Sequence, residues 1–171
     1  YIADLACLYS NNIPTSIYTS LTASQISDIL KITHAKHIIV HAPSMYQHAQ
    51  KSSRLCHQSI TAICIENPKR LQKNAVLWEE VIQSGKHCLD TYYARILKTI
   101  NQSKPADTAC YIFTSGTTGK PKGTILSHEN VIFAAAGVHT VGTQHIPNAK
   151  LVSYLPLAHV FERVVGYYGW L

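Results

Sequence analysis

An α/β fold with a mainly parallel sheet is predicted by three observations. Short β-branched runs alternate with segments of helical period along the first two-thirds of the chain. The helical segments are long enough to act as right-handed crossovers between parallel strands. Composition is globular, with 46% hydrophobic and 14% charged residues, which excludes a disordered or fibrous chain. A sheet of this kind is expected to carry helices on both faces.

The elements follow in order. Ile13 to Tyr18 leans towards β structure. Thr22-Ala23-Ser24-Gln25 then has the form of a capping box, in which hydroxyl and amide satisfy backbone donors reciprocally. Behind it Ile26, Ile29, Leu30 and Thr33 recur at helical spacing and predict one moderately apolar face. His37-Ile38-Ile39-Val40-His41 is a compact β-branched strand, and Ser59 to Ile65 is another. Between them Ser44-Met45-Tyr46-Gln47, after Pro43, suggests a second capping box opening a helix to about Cys56. Leu77 to Ile82 reads as a short helix stopped at Gly85, a residue suited to the left-handed position after a helix. A longer helix is predicted from Asp90 or Thr91 to Ile100, with Tyr93, Ile96, Leu97 and Ile100 on one face. Asn101 to Asp107 is polar, contains Pro105 and reads as a linker. It separates a sheet portion, 1–105, from a segment of different character, 106–171.

Charge and cysteine usage narrow the function classes. Fifteen basic residues against nine acidic ones give a net charge of +6, which favours anionic partners. The basic residues are scattered without aromatic alternation, so nucleic acid is not the expected partner. Five cysteines, an odd number with no C-x-x-C pair, suggest reduced thiols in an intracellular protein. His34, His37 and His41 straddle a helix end and a strand with no Cys or carboxylate among them, and no metal site is expected there. No apolar run approaches the roughly 18 residues that span a bilayer. With neither an initiator Met nor a leader pattern, the chain reads as an internal piece of a longer protein.

The chemistry is concentrated after Ala109. Cys110-Tyr111-Ile112-Phe113 reads as a strand, and it runs into Thr114-Ser115-Gly116-Thr117-Thr118-Gly119-Lys120-Pro121-Lys122-Gly123. A second β-leaning run, Thr124-Ile125-Leu126, follows. Glycines let backbone N–H groups turn towards an anion, hydroxyls donate to its oxygens, and lysines supply charge-assisted hydrogen bonds. A plain surface loop would account for three or four of these residues, but not for ten in succession without an acid. The nucleotide-triphosphatase loop is excluded: Gly116 and Gly119 have only two residues between them, and Lys120 is followed by Pro121. The same spacing excludes the dinucleotide-binding fingerprint.

The run Tyr111 to Gly123 closely resembles the signature of the adenylate-forming superfamily, which includes acyl-CoA synthetases, luciferases and peptide-synthetase adenylation domains. A second match follows in Ser153-Tyr154-Leu155-Pro156-Leu157-Ala158-His159-Val160-Phe161-Glu162-Arg163. Its Leu-Ala-His-Val-Phe-Glu-Arg part is similar to the long-chain fatty acid–CoA ligase branch, as is the region around Ile17-Tyr18-Thr19. The resemblance implies that the chain is part of a large N-terminal AMP-binding domain. Its implied activity is ATP-dependent conversion of a fatty acid to acyl-adenylate and then to acyl-CoA.

By the same resemblance, Thr114, Ser115, Gly116, Thr117, Thr118, Gly119, Lys120, Lys122 and Gly123 hold the β- and γ-phosphates. His159 matches a histidine at the junction of acyl pocket and α-phosphate, although it also suits a local helix cap. Mg²⁺ accompanies ATP, CoA is the co-substrate, and the Mg-binding Glu, ribose-binding Asp and C-terminal lid are expected beyond Leu171. These residues alone are therefore expected to be inactive. Glu162 stands in a salt-bridge-prone pair with Arg163 and is not assigned to the metal. Tyr167, Tyr168 and Trp170 read as core, with an acyl tunnel the alternative. A cytoplasmic location, with peripheral membrane association, suits so apolar a substrate. Two alternatives stay open: a fatty acyl–AMP ligase feeding a carrier protein, and a non-catalytic nucleotide-binding fragment.

Overall fold

Strands and helices alternate in the order α1 (Ile2–Tyr9), β1 (Thr15–Ser16), α2 (Ala23–Thr33), β2 (His37–Val40), α3 (Pro43–Cys56), β3 (Thr61–Cys64), β4 (Ala75–Leu77), α4 (Trp78–Gln102), β5 (Thr108–Ser115), β6 (Pro121–Ser127) and α5 (His128–Val141). A π-helix at Glu162–Tyr167 and a 3₁₀ turn at Tyr168–Trp170 close the chain. The computed structural model describes residues 1–115, 120–141, 150 and 152–171. Among them the strands form two three-stranded sheets, ordered β1-β5-β6 and β2-β3-β4. The chain divides into one unit of Tyr1–Tyr18, Arg95–Thr114 and Lys122–Leu171, and another of Thr19–Ala94 with Ser115–Pro121.

In the second of these units the sheet is parallel throughout, β2 with β3 (Val40 opposite Cys64) and β3 with β4 (Cys64 opposite Leu77). The predicted capping box is formed: the Thr22 N–H donates to Gln25 Oε1 at 3.0 Å and the Gln25 N–H to Thr22 Oγ1 at 3.3 Å. It fixes the start of α2, whose Ile26, Ile29 and Leu30 are buried as their spacing predicts. The second capping box is not formed. Pro43 occupies the first turn of α3 after Ala42, which caps without its side chain. Pro has its φ preset for the first helical position, so the helix starts ahead of Ser44.

The core of this unit is Val40, Tyr46, Ala49, Ala62 and Cys64, with α3 on one sheet face. The opposite face is less covered than expected, since Ile39 remains 39% exposed. Gly85 is the clearest correction. It lies inside α4, a single helix of 25 residues in place of the two predicted ones. A glycine in a helix interior costs only about 1 kcal/mol, which a long run of good helix formers outweighs.

In the first unit β1 runs parallel to β5, with Thr15 opposite Tyr111 and Ser16 opposite Ile112. β5 is the middle strand of its sheet, and Ala109, Cys110, Ile112 and Phe113 are all buried. That explains its continuous apolar run, because a strand covered on both faces has no polar side. α5 is opened by a reciprocal pair: the Ser127 N–H donates to Asn130 Oδ1 and the Asn130 N–H to Ser127 Oγ, both at 3.1 Å. α1, β4 and α5 are not among the predicted elements.

Candidate functional site

β5 delivers Thr114 and Ser115 at its end, and β6 begins with Pro121 and Lys122. Because these strands are neighbours in one sheet, Thr114, Lys122 and Gly123 are brought together at the start of the loop's two limbs. Thr114, Lys120 and Lys122 are exposed and Pro121 is buried. Gly116, Thr117, Thr118 and Gly119 lie outside the described residues. Gly123 has a packing reason for its missing side chain: a Cβ there would lie 2.9 Å from the Phe113 ring. Phe113 is itself 5% exposed and could not easily move away.

His159 belongs to a separate segment, the turn that runs from Pro156 into the terminal helix. Its N–H donates to the Pro156 carbonyl at 2.8 Å, and its own carbonyl accepts from the Arg163 N–H at 3.1 Å. The exposed imidazole reaches back so that Nδ1 accepts the Phe161 N–H at 3.2 Å. The local capping role is thus realised. An imidazole nitrogen that accepts is unprotonated, so the hydrogen-bond pattern assigns the proton of the neutral ring to Nε2.

The next residues depart from the sequence reading. Glu162 and Arg163 do not pair with each other. Successive residues on a helix face different directions, and these two go to different partners. Glu162, 3% exposed, accepts from Ser153 Oγ. Its carboxylate lies over Gly166, where a Cβ would meet Oε1 at 2.6 Å. Arg163 is fully buried and pairs with Asp4, Nη1 to Oδ1 at 2.7 Å. The same Nη1 donates to the Tyr168 hydroxyl at 2.8 Å, and that hydroxyl donates to Asp4 Oδ2 at 2.6 Å. Nη2 donates to Ser16 Oγ, and Nε donates to the Leu157 carbonyl at 3.3 Å.

This closed set of charge-assisted bonds sets the local electrostatics. Burial opposes the Arg163 charge, but Asp4 and the Tyr168 oxygen outweigh it and hold the guanidinium above its usual range. Burial and the hydrogen bond to Asp4 push the Tyr168 phenol up, and burial with Asp4 pushes Tyr167 up to about 12. Burial also raises the Cys110 thiol. Tyr167 is core as expected, its ring 4.5 Å from that of Tyr1 and 4.8 Å from that of Tyr168, whereas Trp170 is 43% exposed. Sequence reasoning missed Asp4. The signal was available, since one acid in the apolar run Ile2 to Leu8 and one base before Val164-Val165 each call for a buried partner.

Comparison with known proteins follows the same lines. The family model for AMP-binding enzymes matches residues 1–171. The chain is 31% identical over 169 residues to Long-chain-fatty-acid–CoA ligase ACSBG2 of Xenopus laevis, covering 96% of this chain and 22% of that protein. It is 52% identical over 61 residues to Long-chain-fatty-acid–CoA ligase 2 of Schizosaccharomyces pombe, covering 34% of this chain and 9% of that protein. The chain thus spans less than a quarter of the length of these relatives. Among solved structures, ATP-bound MatB from Rhodopseudomonas palustris superposes with a TM-score of 0.64 at 16% identity, over 98% of this chain and 30% of that one. A red-emitting luciferase from Phrixothrix hirtus gives 0.63 at 17% identity, over 92% of this chain and 30% of that one. Both likenesses speak to the fold, an α/β architecture with parallel sheets.

Proposed function

Since the chain belongs to the AMP-binding enzyme family, we propose that it works within an ATP-dependent ligase that activates a long-chain fatty acid, first as acyl-adenylate and then as acyl-CoA. The observation that carries this reading is the family match across residues 1–171, reinforced by relatives named for that reaction.

In the first step a carboxylate oxygen attacks the α-phosphorus of ATP, and the bond to pyrophosphate breaks. In the second the CoA sulfur attacks the acyl carbon, AMP leaves, and the thiol proton is released. This chain's part in the first step is to hold the polyphosphate. Thr114, Ser115, Thr117 and Thr118 offer hydroxyl donors, Gly116, Gly119 and Gly123 offer backbone N–H groups, and Lys120 and Lys122 offer charge. Donors already in place where charge develops need no reorganisation during reaction. His159, with Nδ1 occupied by the Phe161 N–H, has Nε2–H to donate to an oxygen where the carboxylate meets the α-phosphate. Among the described residues no three His, Cys, Asp or Glu side chains converge as a metal site. Mg²⁺ would accompany ATP, and the residues derived for the first step are the hydroxyls, backbone N–H groups and lysines named above.

A tail of about sixteen carbons carries roughly 0.8 kcal/mol per CH₂ and partitions into lipid. A cytoplasmic enzyme working at a membrane surface fits that substrate, and no helix among the described residues is long and apolar enough to cross a membrane.

The test separates the half-reactions in the full-length ligase. Negative charge builds on pyrophosphate only while the adenylate forms. Lys122→Met is expected to slow fatty-acid-dependent ATP–pyrophosphate exchange by about one to three decades, roughly 1.4–4 kcal/mol. CoA consumption from supplied acyl-adenylate should change much less. Equal losses in both assays would show that Lys122 supports structure alone, and absence of exchange with any long-chain acid would sink the ligase reading.

A further inference from the structure

We infer that Arg163 is a positioning residue for His159; the inference rests on the ligase reading for what His159 does, but not for how it is held. Arg163 holds the chain just before the imidazole and at His159 itself. Its Nε donates to the carbonyl of Leu157, two residues before His159, and its backbone N–H donates to the carbonyl of His159 itself. The rest of the guanidinium reaches elements distant in sequence: Asp4 on α1, and Ser16 on β1, which lies opposite Ile112 of β5. β5 is the strand that ends at Thr114 and Ser115. One side chain therefore references the turn carrying His159 to the strand that leads into the phosphate loop.

The geometry explains why the group should be arginine. A guanidinium is a rigid planar fork with five N–H donors. Nη1 serves Asp4 and Tyr168, Nη2 serves Ser16, and Nε serves Leu157. Tyr168 then locks the fork, accepting from Arg163 while donating to Asp4. Lysine has three donors on a mobile stem, with none at the Nε position that holds Leu157. The fork fixes the turn, the turn presents the Phe161 N–H to His159 Nδ1, and that bond leaves the proton on Nε2. A residue that acts in this way supports catalysis without touching substrate.

The experiment uses the full-length ligase with ¹⁵N-labelled histidine, as wild type and as Arg163→Lys, Tyr168→Phe, His159→Ala and Arg163→Lys/His159→Ala. Folding is checked by circular dichroism. In the wild type the His159 ring should give the signature of the Nε2–H tautomer. In folded Arg163→Lys that signature should be lost or mixed, and adenylation kcat should fall about tenfold while KM for ATP moves less than about twofold. In the His159→Ala background the same Arg163→Lys change should cost less than about twofold, because the residue acts through the missing ring. Unchanged His159 signals in folded Arg163→Lys, or equal kinetic losses in both backgrounds, overturn the inference. If Arg163→Lys does not fold, Tyr168→Phe carries the test, since it removes only the hydroxyl that locks the fork; unchanged His159 signals there overturn it equally. A disturbed tautomer in an enzyme whose adenylation is indifferent to His159→Ala supports the positioning and sinks the catalytic role of His159 instead.

Discussion

In the unit of Thr19–Ala94 and Ser115–Pro121, the buried cluster is Val40, Tyr46, Ala49, Ala62 and Cys64. In the unit of Tyr1–Tyr18, Arg95–Thr114 and Lys122–Leu171, the largest fully buried side chain is instead that of Arg163, ion-paired to Asp4. The first cluster is drawn from residues 40 to 64. The second interaction joins residues 159 positions apart. Apolar contacts are non-directional and tolerate small changes of shape. A buried ion pair is directional, and it is costly to leave half-made. The same fragment thus holds one region that packs by volume and another that is fixed by donor geometry, and the histidine of the candidate site sits in the latter.

The sharpest way to break this contrast is Arg163→Met. It leaves Asp4 buried without its counter-charge, and stability should fall by about 3–5 kcal/mol. Adding Asp4→Leu should recover much of the loss, because a buried pair replaced by apolar groups is often neutral or stabilising. Urea denaturation of wild type, single and double variants reads both effects. A double variant no more stable than the single would mean that the lost contacts, and not the stranded charge, dominate.

Alkaline pH probes the same network more gently. Tyr168 and Tyr167 titrate higher in the folded chain than the pH of about 10 usual for an unfolded tyrosine. The folded state holds these protons more tightly. The associated stability is complete below about pH 10 and is lost as pH rises through the folded values. Tyr168→Phe should therefore be less stable than wild type at pH 8, with the gap narrowing as pH rises above 10. A gap of constant width across denaturation midpoints from pH 8 to 11 would contradict the protonation account.

The apolar unit should respond mildly to a conservative change. Ile29 is 3% exposed on α2, and Ile29→Val should cost about 0.5–1.5 kcal/mol. A loss as large as that of Arg163→Met would erase the distinction between the two regions. The smallest effect has the opposite sign. A Cβ on Gly85 meets nothing within 4 Å inside α4, so Gly85→Ala should raise stability by about 0.5–1 kcal/mol. Destabilisation there would favour a helix break at Gly85 after all.

These regions also differ in how far the sequence discloses them. The Thr22–Gln25 capping box, the Ile26–Ile29–Leu30 face, and strands β2, β3 and β5 all follow from neighbours a few residues apart, and all were readable. The departures from local expectation are local as well. Gly85 resembles a helix stop until the propensity of the whole of α4 is weighed, and Pro43 takes the helix start from Ser44 by occupying the first turn. β4, with the three residues Ala75–Leu77, carries too little periodicity to be recognised before its pairing with β3 is seen.

For the candidate site the division is sharper. The run Thr114 to Gly123 and the histidine of Leu-Pro-Leu-Ala-His announce themselves, because an anion-binding loop depends on residue types held at fixed short spacing. Residue types at short spacing are enough to fix these residues, the family they point to and the strand–helix order that carries them. Packing alone makes Glu162 turn to Ser153 and not to Arg163, lets His159 accept the Phe161 N–H, and brings Arg163 across the chain to Asp4. Spacing along a chain specifies contacts within a helical turn or a short loop. A buried charge specifies only that a partner must exist, and which residue answers it is settled when distant segments pack together.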